Sequence, residues 1–379
     1  VKIALVIDDA LARPDGVQEY VRTIGRVMGE RGHEVHVLCS GEAGEPPAGI
    51  ERVVSLTANV GVTFNGNGLR TPRPASRRRL REHLAAERYD IIHVQTPHSP
   101  LFAARIVRQA RRVQGASVRI VATFVIFPDS AVSERATRAL GLTLRRNLRL
   151  FDAFAALSAP AAAFAKRAFG IDAAVIPVPV CIDDIAAQAA AKPWPVDPAG
   201  RTIVAFLGRL VERKGAVELV EAFALLRPRA RAKVVLRIGG RGPLSARIEA
   251  LIAQHGLEES VSLEGFISDE DKPGFMAAAD LAVFPATGGE SFGIVLTEAM
   301  AAGAGAVLGG DNPGYSWTLG NPDAVVNPRD AGVFAARLGA LLADADARAA
   351  LHAQQQARVR DFDVAVVAEQ ITALYDIRG

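Results

Sequence analysis

Two α/β domains, each built on a parallel sheet, are the fold class this sequence predicts, and three observations predict it. The 379 residues exceed what one core comfortably fills. Strand, loop, helix, strand units open both halves of the chain, at residues 1–39 and again from Thr202. Between the halves runs Ala187–Gly200, rich in Ala, Gln, Pro and Asp and without a strong period, which reads as a linker. With 44 basic against 41 acidic residues the charge is nearly balanced, so only a local cluster of Arg can argue for an anionic partner, and nothing suggests nucleic acid. Cys39 and Cys181 lie far apart, which suggests neither a disulfide framework nor a metal cluster, and a reducing cytoplasm is expected. No basic leader precedes the first strand, and no run of about 18 apolar residues escapes a charge or a proline. Any contact with a bilayer is therefore expected from one side.

Val1–Ile7 is a short apolar strand. Apolar residues at 17, 21, 24, 27 and 28 then make a helix that Gly32 stops, and Glu34–Cys39 is the next strand. The loop Asp8–Gly16 sits where parallel sheets bind ligands, and its Asp15-Gly16-Val17-Gln18 turn opens the helix. Gly16 permits close backbone approach, and the helix start behind it suits a phosphate; a plain turn glycine is the bland alternative. Ser76–Ala86 carries the sharpest charge cluster. Arg77, Arg78 and Arg81 flank a Leu80/Leu84 stripe on one side and Arg79 completes the cluster, as in a basic helix lying on an anionic lipid surface or simply in solvated surface.

Tyr89–Gln95 is a strand running into a loop with His98, and Arg119–Ile126 is a continuous apolar strand that Phe127-Pro128-Asp129 ends. His93 at a strand end reads as a structural histidine before it reads as a catalyst. Ala174–Ile182 is expected as the last strand of the first domain. In the second domain, strand Thr202–Leu207 leads into Gly208-Arg209 and, five positions on, Lys214-Gly215, cations well placed for a diphosphate. Lys233–Ile238 ends in the Gly-rich turn Gly239–Pro243, which is neither a Walker A loop nor a dinucleotide fingerprint.

The richest stretch is Gly288-Gly289-Glu290-Ser291-Phe292-Gly293 followed by Ile294–Ala302, an apolar helix stopped by Gly303. It carries Glu298, and an unpartnered buried carboxylate costs several kcal/mol, about enough to demand a polar cleft, a hydroxyl or a cation. Amides of Phe292, Gly293 and Ile294 at the helix start would hold an anion. A buried helix with a structural Glu298 fits these features equally well.

Two glutamates eight positions apart, in Gly-Glu-Ser-Phe-Gly and Glu-Ala-Met-Ala-Ala-Gly, resemble the donor site of retaining GT-B glycosyltransferases of family 4. The likeness is nearest to phosphatidylinositol mannosyltransferases and runs along nearly the whole chain. It implies two Rossmann-like domains facing across a cleft: an acceptor-side domain over residues 1–186, a linker over 187–200, a nucleotide-sugar domain over 201–362, and a last segment, 363–379, crossing back to the first domain. The resemblance implies that Gly16, Gly208, Arg209, Lys214, Gly239, Phe266, Ile267, Glu290, Phe292, Gly293, Ile294 and Glu298 line the donor site. Arg209 and Lys214 would take the diphosphate, Glu290 the sugar hydroxyls, Glu298 the ribose and Phe266-Ile267 the base. Catalysis would rest on Glu290, Arg209 and Lys214, without a metal or cofactor, and the co-substrate would be a GDP- or UDP-sugar. Asp9, Gln18 and Val125 fall on the acceptor side.

Three positions depart from the family. Val125 stands for a histidine beside the transferred sugar, Asp9 for an aromatic residue, and Ile176-Pro177-Val178-Pro179 for Ile-Pro-Asn-Gly. The expected activity is retaining hexosyl transfer, of mannose or glucose type, to a membrane lipid or glycolipid, by a cytoplasmic protein peripheral to the inner face of the membrane. The alternatives are a non-catalytic nucleotide-sugar binder at the membrane surface and a transferase for a soluble acceptor.

Overall fold

The computed structural model describes residues 1–12, 16–64, 67–97, 99–125, 144 and 146–377. Asp15, His98 and the strand stop Phe127–Asp129 therefore lie outside the described residues. The chain forms two compact units, Val1–Pro179 with Val364–Gly379, and Val180–Asp363.

The first unit holds strands β1 (Lys2–Val6), β2 (Glu34–Ser40), β3 (Arg52–Thr57), β6 (Ile91–Val94), β7 (Arg119–Phe124), β8 (Ala153–Ala156) and β9 (Ala174–Val175) in the parallel order β3-β2-β1-β6-β7-β8-β9. A separate antiparallel hairpin pairs β4 (Asn59–Phe64) with β5 (Asn67–Pro72). Ile3, Ala4, Leu5 and Val6 are all fully buried, the unbroken apolar run of a strand covered on both faces. Strand order reverses beside β1, whose Val6 pairs with Leu38 on one side and Val94 on the other. That reversal opens a crevice at the carboxyl ends of β1 and β6, the usual place for a ligand in such a sheet.

Strands β10 (Thr202–Leu207), β11 (Val234–Gly239), β12 (Val261–Gly265), β13 (Leu281–Phe284), β14 (Ala306–Gly310) and β15 (Val325–Val326) make the second sheet, parallel throughout, in the order β12-β11-β10-β13-β14-β15. Its reversal lies between β10 and β13.

Helix Val364–Tyr375 belongs to the first unit, where it packs on helix Gly16–Glu30, β7 and β8. Arg31 pairs with Glu369 at 2.7 Å, and the Tyr375 hydroxyl meets buried His93 Nδ1 at 2.8 Å. The opposite nitrogen, His93 Nε2, lies 2.7 Å from Thr123 Oγ1. His93 is thus a structural bridge across β6, β7 and the last helix, and burial holds its pKa down at about 3.

Two stretches differ from their sequence-based readings. Ala174–Ile182 is strand only at Ala174–Val175, because Pro177 and Pro179 lack the amide hydrogens a ladder needs. The chain leaves the first unit after Pro179, and Ile182–Ala191 is a helix lying on helices Lys272–Ala277 and Ile294–Ala302. The rest of Ala187–Gly200 is packed on the second unit. Trp194 meets Phe275 edge-on at 5.3 Å, Arg237 donates to the Pro195 carbonyl, and Asp197 accepts from Arg201 at 2.8 Å. The Arg201 guanidinium and the amides of Ala199 and Arg201 hold the Asp197 carboxyl down at about 2.

Candidate active site

Loops at the carboxyl ends of β10, β11 and β13 assemble the site in the second unit. The Gly208 amide donates to the Gly239 carbonyl at 3.1 Å, Leu210 to Arg241 at 3.0 Å, and Thr287 to Arg213 at 2.9 Å, which ties the three loops together. Contact is so close that a Cβ on Gly215, itself left-handed at φ 76°, would lie 2.1 Å from the Pro285 carbonyl oxygen. Glycine here is therefore a condition of the loop closure.

Glu290 lies where these loops meet. Its Oε1 accepts from Arg213 Nη1 at 2.5 Å and from Lys214 Nζ at 2.8 Å, with only 13% of its side chain exposed. Lys214 and Glu290, both expected in the donor site, are thus bonded to each other, and Arg213 joins them. Arg209 is exposed, and its guanidinium makes no hydrogen bond or ion pair among the described residues. Charge-assisted bonds of this type lock the carboxylate's direction.

Gly293 starts helix Ile294–Ala302 with φ 98°, and a Cβ there would stand 2.5 Å from ring carbons of Tyr315. Tyr315 is fully buried, and burial first, then the Glu290 carboxylate, pushes its hydroxyl pKa well up. Gly314 presses equally on the Glu290 carbonyl, where a Cβ would lie 2.1 Å away. Asn312 caps helix Pro313–Leu319 by accepting from the Tyr315 amide at 3.0 Å and donates to the Ala286 carbonyl at 3.1 Å. Helix start, Tyr315 and Glu290 are in this way one packed piece.

Glu298, in the second turn of its helix, accepts from Lys272 Nζ at 2.7 Å and is 17% exposed. The cation that burying Glu298 demanded is therefore Lys272, 26 residues upstream, which sequence spacing alone did not indicate. Phe292 is core: its ring packs on Trp317 and Phe362 at 6.1 and 5.1 Å, leaving only its backbone for a ligand. Phe266 is 65% exposed while Ile267 beside it is buried, which leaves an aromatic face for a flat ligand. Gly239 closes β11 against Ile267 and Leu207, Gly208 directly follows β10, and Ile294 is the first residue of its helix.

In the first unit, Gly16 begins helix Gly16–Glu30. Gln18 is buried and donates to the Ala10 carbonyl at 3.4 Å, Asp9 Oδ1 accepts from Asn59 at 2.8 Å, and Val125 follows the end of β7. Helix Arg77–Glu87 is capped by Ser76, and its Leu80 and Leu84 are buried in the core. Arg78 pairs with Glu82 at 2.7 Å and Arg79 donates to the Ser55 carbonyl at 2.9 Å. The apolar stripe is thus consumed inside the protein, and only the charged face remains for a membrane.

Among the described residues one grouping has three potential metal ligands, Glu34, His36 and Glu87. Lys2 Nζ already bridges its two carboxylates at 2.8 and 2.5 Å. No helix among the described residues is long and apolar enough to cross a membrane.

Comparison with known proteins fits this geometry. The Glycosyltransferase Family 4 model matches residues 14–184, and the Glycosyl transferases group 1 model residues 191–358. Solved structures alike in fold include sucrose-phosphate synthase from Thermosynechococcus elongatus, with TM-score 0.75, 23% identity, and 99% and 98% of the two chains covered. Another is Anabaena HepE in complex with UDP, with TM-score 0.74, 18% identity, and 99% and 100% covered. Two parallel α/β units of this kind define the GT-B fold, and the protein is a glycosyltransferase. The phosphatidyl-myo-inositol mannosyltransferase of Mycolicibacterium smegmatis is 32% identical over 99% of this chain and 93% of its own length. That of Mycobacterium tuberculosis is 32% identical over 99% and 96%. The chain belongs to the family 4 glycosyltransferases that include these enzymes.

Proposed function

We propose that the protein moves a hexose, of mannose or glucose type, from a GDP- or UDP-sugar to a membrane lipid or glycolipid, with retention and without a metal. The observation that carries the donor side is the convergence of Arg213 and Lys214, from the loop that also carries Arg209, on one oxygen of Glu290, four residues before the start of helix Ile294–Ala302. The lipid acceptor is supported by the names of the two mannosyltransferase relatives and by the exposed arginines of helix Arg77–Glu87.

On this reading Arg209 and Lys214 hold the donor diphosphate, assisted by the amides of Gly293 and Ile294. As the bond from the anomeric carbon to phosphate breaks, negative charge grows on the leaving diphosphate, and these cations stabilise it. Glu290, fixed by Arg213, receives the sugar hydroxyls, Glu298 and Lys272 the ribose, and Phe266 the base. The acceptor oxygen bonds to the anomeric carbon on the face the phosphate leaves, and its proton passes to the departing phosphate oxygen. Val125 has no group to take that proton, which is why the donor oxygen is assigned it. The first unit, with Asp9, Gln18 and Val125, carries the acceptor, and the protein works peripherally on the inner face of the membrane.

Purified protein should be assayed against GDP- and UDP-sugars by nucleoside diphosphate release, with and without a lipid extract. One donor is expected to turn over faster with lipid. Arg209→Ala and Lys214→Ala should each lower that rate at least about tenfold, or about 1.4 kcal/mol of transition-state stabilisation. Near-native rates in both would sink the donor-site assignment.

A further inference from the structure

Five of the six residues of β11 are apolar or glycine, and the sixth, Arg237, is only 8% exposed. Its Nη1 donates to the Pro195 carbonyl. Among the described residues Nε and Nη2 have no hydrogen-bond partner, and no carboxylate forms an ion pair with the guanidinium. Both nitrogens stay open to solvent, because Arg237 lines a cavity of about 320 Å³. A cation buried this far without a counter-charge is costly, and the Nε–Nη2 edge it leaves free is one that grips a carboxylate through two parallel bonds.

The cavity lies between one face of β11 and β12 and the segment 194–197. Register pairs Arg237 with Ser262, so Ser262 and Glu264 share its face of the sheet. Ser262 Oγ donates to Glu264 Oε1 at 2.6 Å, and Glu264 Oε2 has no partner among the described residues. Glu258 and Glu259 are exposed at the mouth. Arg201 spends Nε and Nη2 on Asp197 and Nη1 on the Glu259 carbonyl, which leaves Arg237 as the one uncommitted cation among the described residues that line the cavity. Val235, two residues back on the same face, and Trp194 supply an apolar wall. Arg201 and Glu259 stand just before the amino ends of β10 and β12, whereas the loops that carry Lys214 and Glu290 leave the carboxyl ends of β10 and β13. The cavity is therefore separate from the candidate donor site.

We infer that this cavity binds a small zwitterion of the α-amino-acid class, with its carboxylate on Arg237, its ammonium at Glu264 and an apolar side chain against Trp194 and Val235. The charges select the ligand. An inorganic anion would satisfy Arg237 but would meet the carboxylates of Glu258, Glu259 and Glu264, which repel it. A bare cation would suit those carboxylates and leave Arg237 unmatched, and a neutral polyol would leave both charges unmatched. A zwitterion answers both at once. The volume agrees, lying at the small end of the range of roughly 300–1,000 Å³ for ligand sites.

The test is calorimetric titration of the full chain with L-leucine. Native protein should bind it saturably, with a change in tryptophan emission because Trp194 lines the cavity. N-acetyl-L-leucine keeps the carboxylate and loses the ammonium, and L-leucinamide does the reverse; each should bind at least about tenfold more weakly. Arg237→Gln and Glu264→Gln, each first checked for a native thermal midpoint, should weaken L-leucine binding to the same degree. If either variant fails to fold, the two blocked analogues on native protein still decide. No saturable binding, equal affinity for a blocked analogue or in a folded variant, or displacement of L-leucine by inorganic phosphate, UDP or GDP overturns the inference. The site does not depend on the transferase reading, which titration of the same sample with nucleotide sugars judges separately.

Discussion

Glu290 shows how much depends on a single atom. Two cations share its Oε1, so the Lys214 ammonium that the proposal assigns to the diphosphate is paired with a carboxylate. On the proposed reading, a donor draws Lys214 away while its sugar hydroxyls take over part of the carboxylate's bonding. Glu290→Gln should then separate binding from turnover. The nucleoside diphosphate, which lacks the sugar, should bind more tightly because both cations are released. Turnover should fall at least about tenfold because the sugar loses its anchor. Calorimetric titration with UDP and GDP beside steady-state rates checks the split, and weaker diphosphate binding by the variant would show that Glu290 does not restrain the cations. Sequence brought Lys214 and Glu290 into one site by motif but gave no sign that they bond, since they stand 76 positions apart. Arg213 lay unassigned within the same loop, and Lys272 had no motif to mark it.

At the scale of elements, helix Arg77–Glu87 shows where pattern reading reaches its limit. Leucines at i and i+4 face a core and a bilayer with the same spacing, and burial of Leu80 and Leu84 decides for the core. Membrane contact, if made here, is then purely electrostatic, which sharpens its signature. Replacing Arg77, Arg78, Arg79 and Arg81 with Gln should release the protein from anionic vesicles, and native binding should fade as salt rises past about 0.1 M, where the Debye length is about 10 Å. Co-sedimentation that ignores both salt and substitution would assign the cluster to solvated surface. Helix Ile294–Ala302 was far easier to read, because Gly293 and Gly303 mark its ends and both are left-handed. The sequence did not reveal the Tyr315 ring packed on Gly293. Gly293→Ala should cost roughly 2–4 kcal/mol from strain and overpacking combined. A lowered urea midpoint by tryptophan fluorescence reads that loss, and an unchanged midpoint would contradict the packing.

For the whole molecule, the two parallel units were legible because their strands are uninterrupted apolar runs. The boundary was not, because Ile182–Ala191 and Trp194 pack on neighbours that are remote in sequence. The division has an acid-stability consequence. His33, His36, His83 and His93 all have lowered pKa values, with desolvation the largest cause, and all lie in the first unit. A histidine whose folded pKa is depressed contributes its full stability above its unfolded pKa of about 6.5 and loses it as pH falls towards the folded value. For His93 that loss runs from about 6.5 to about 3 and is capped at about 5 kcal/mol. Asp8 acts oppositely: its raised pKa makes protonation favour the folded state between about 6 and 3.8, offsetting part of the loss. Asp197 in the second unit, held at about 2, gives up its contribution only below pH 3.8. The first unit should therefore yield to acid before the second. Trp194 and Trp317, the chain's two tryptophans, both lie in the second unit, so their fluorescence reports that unit while far-ultraviolet dichroism reports both. In an acid titration from pH 7, dichroism should begin to fall at higher pH than fluorescence changes, and His93→Gln should bring the two curves closer. Curves that coincide in the native protein would mean that the units unfold as one and that the buried histidines do not set the order.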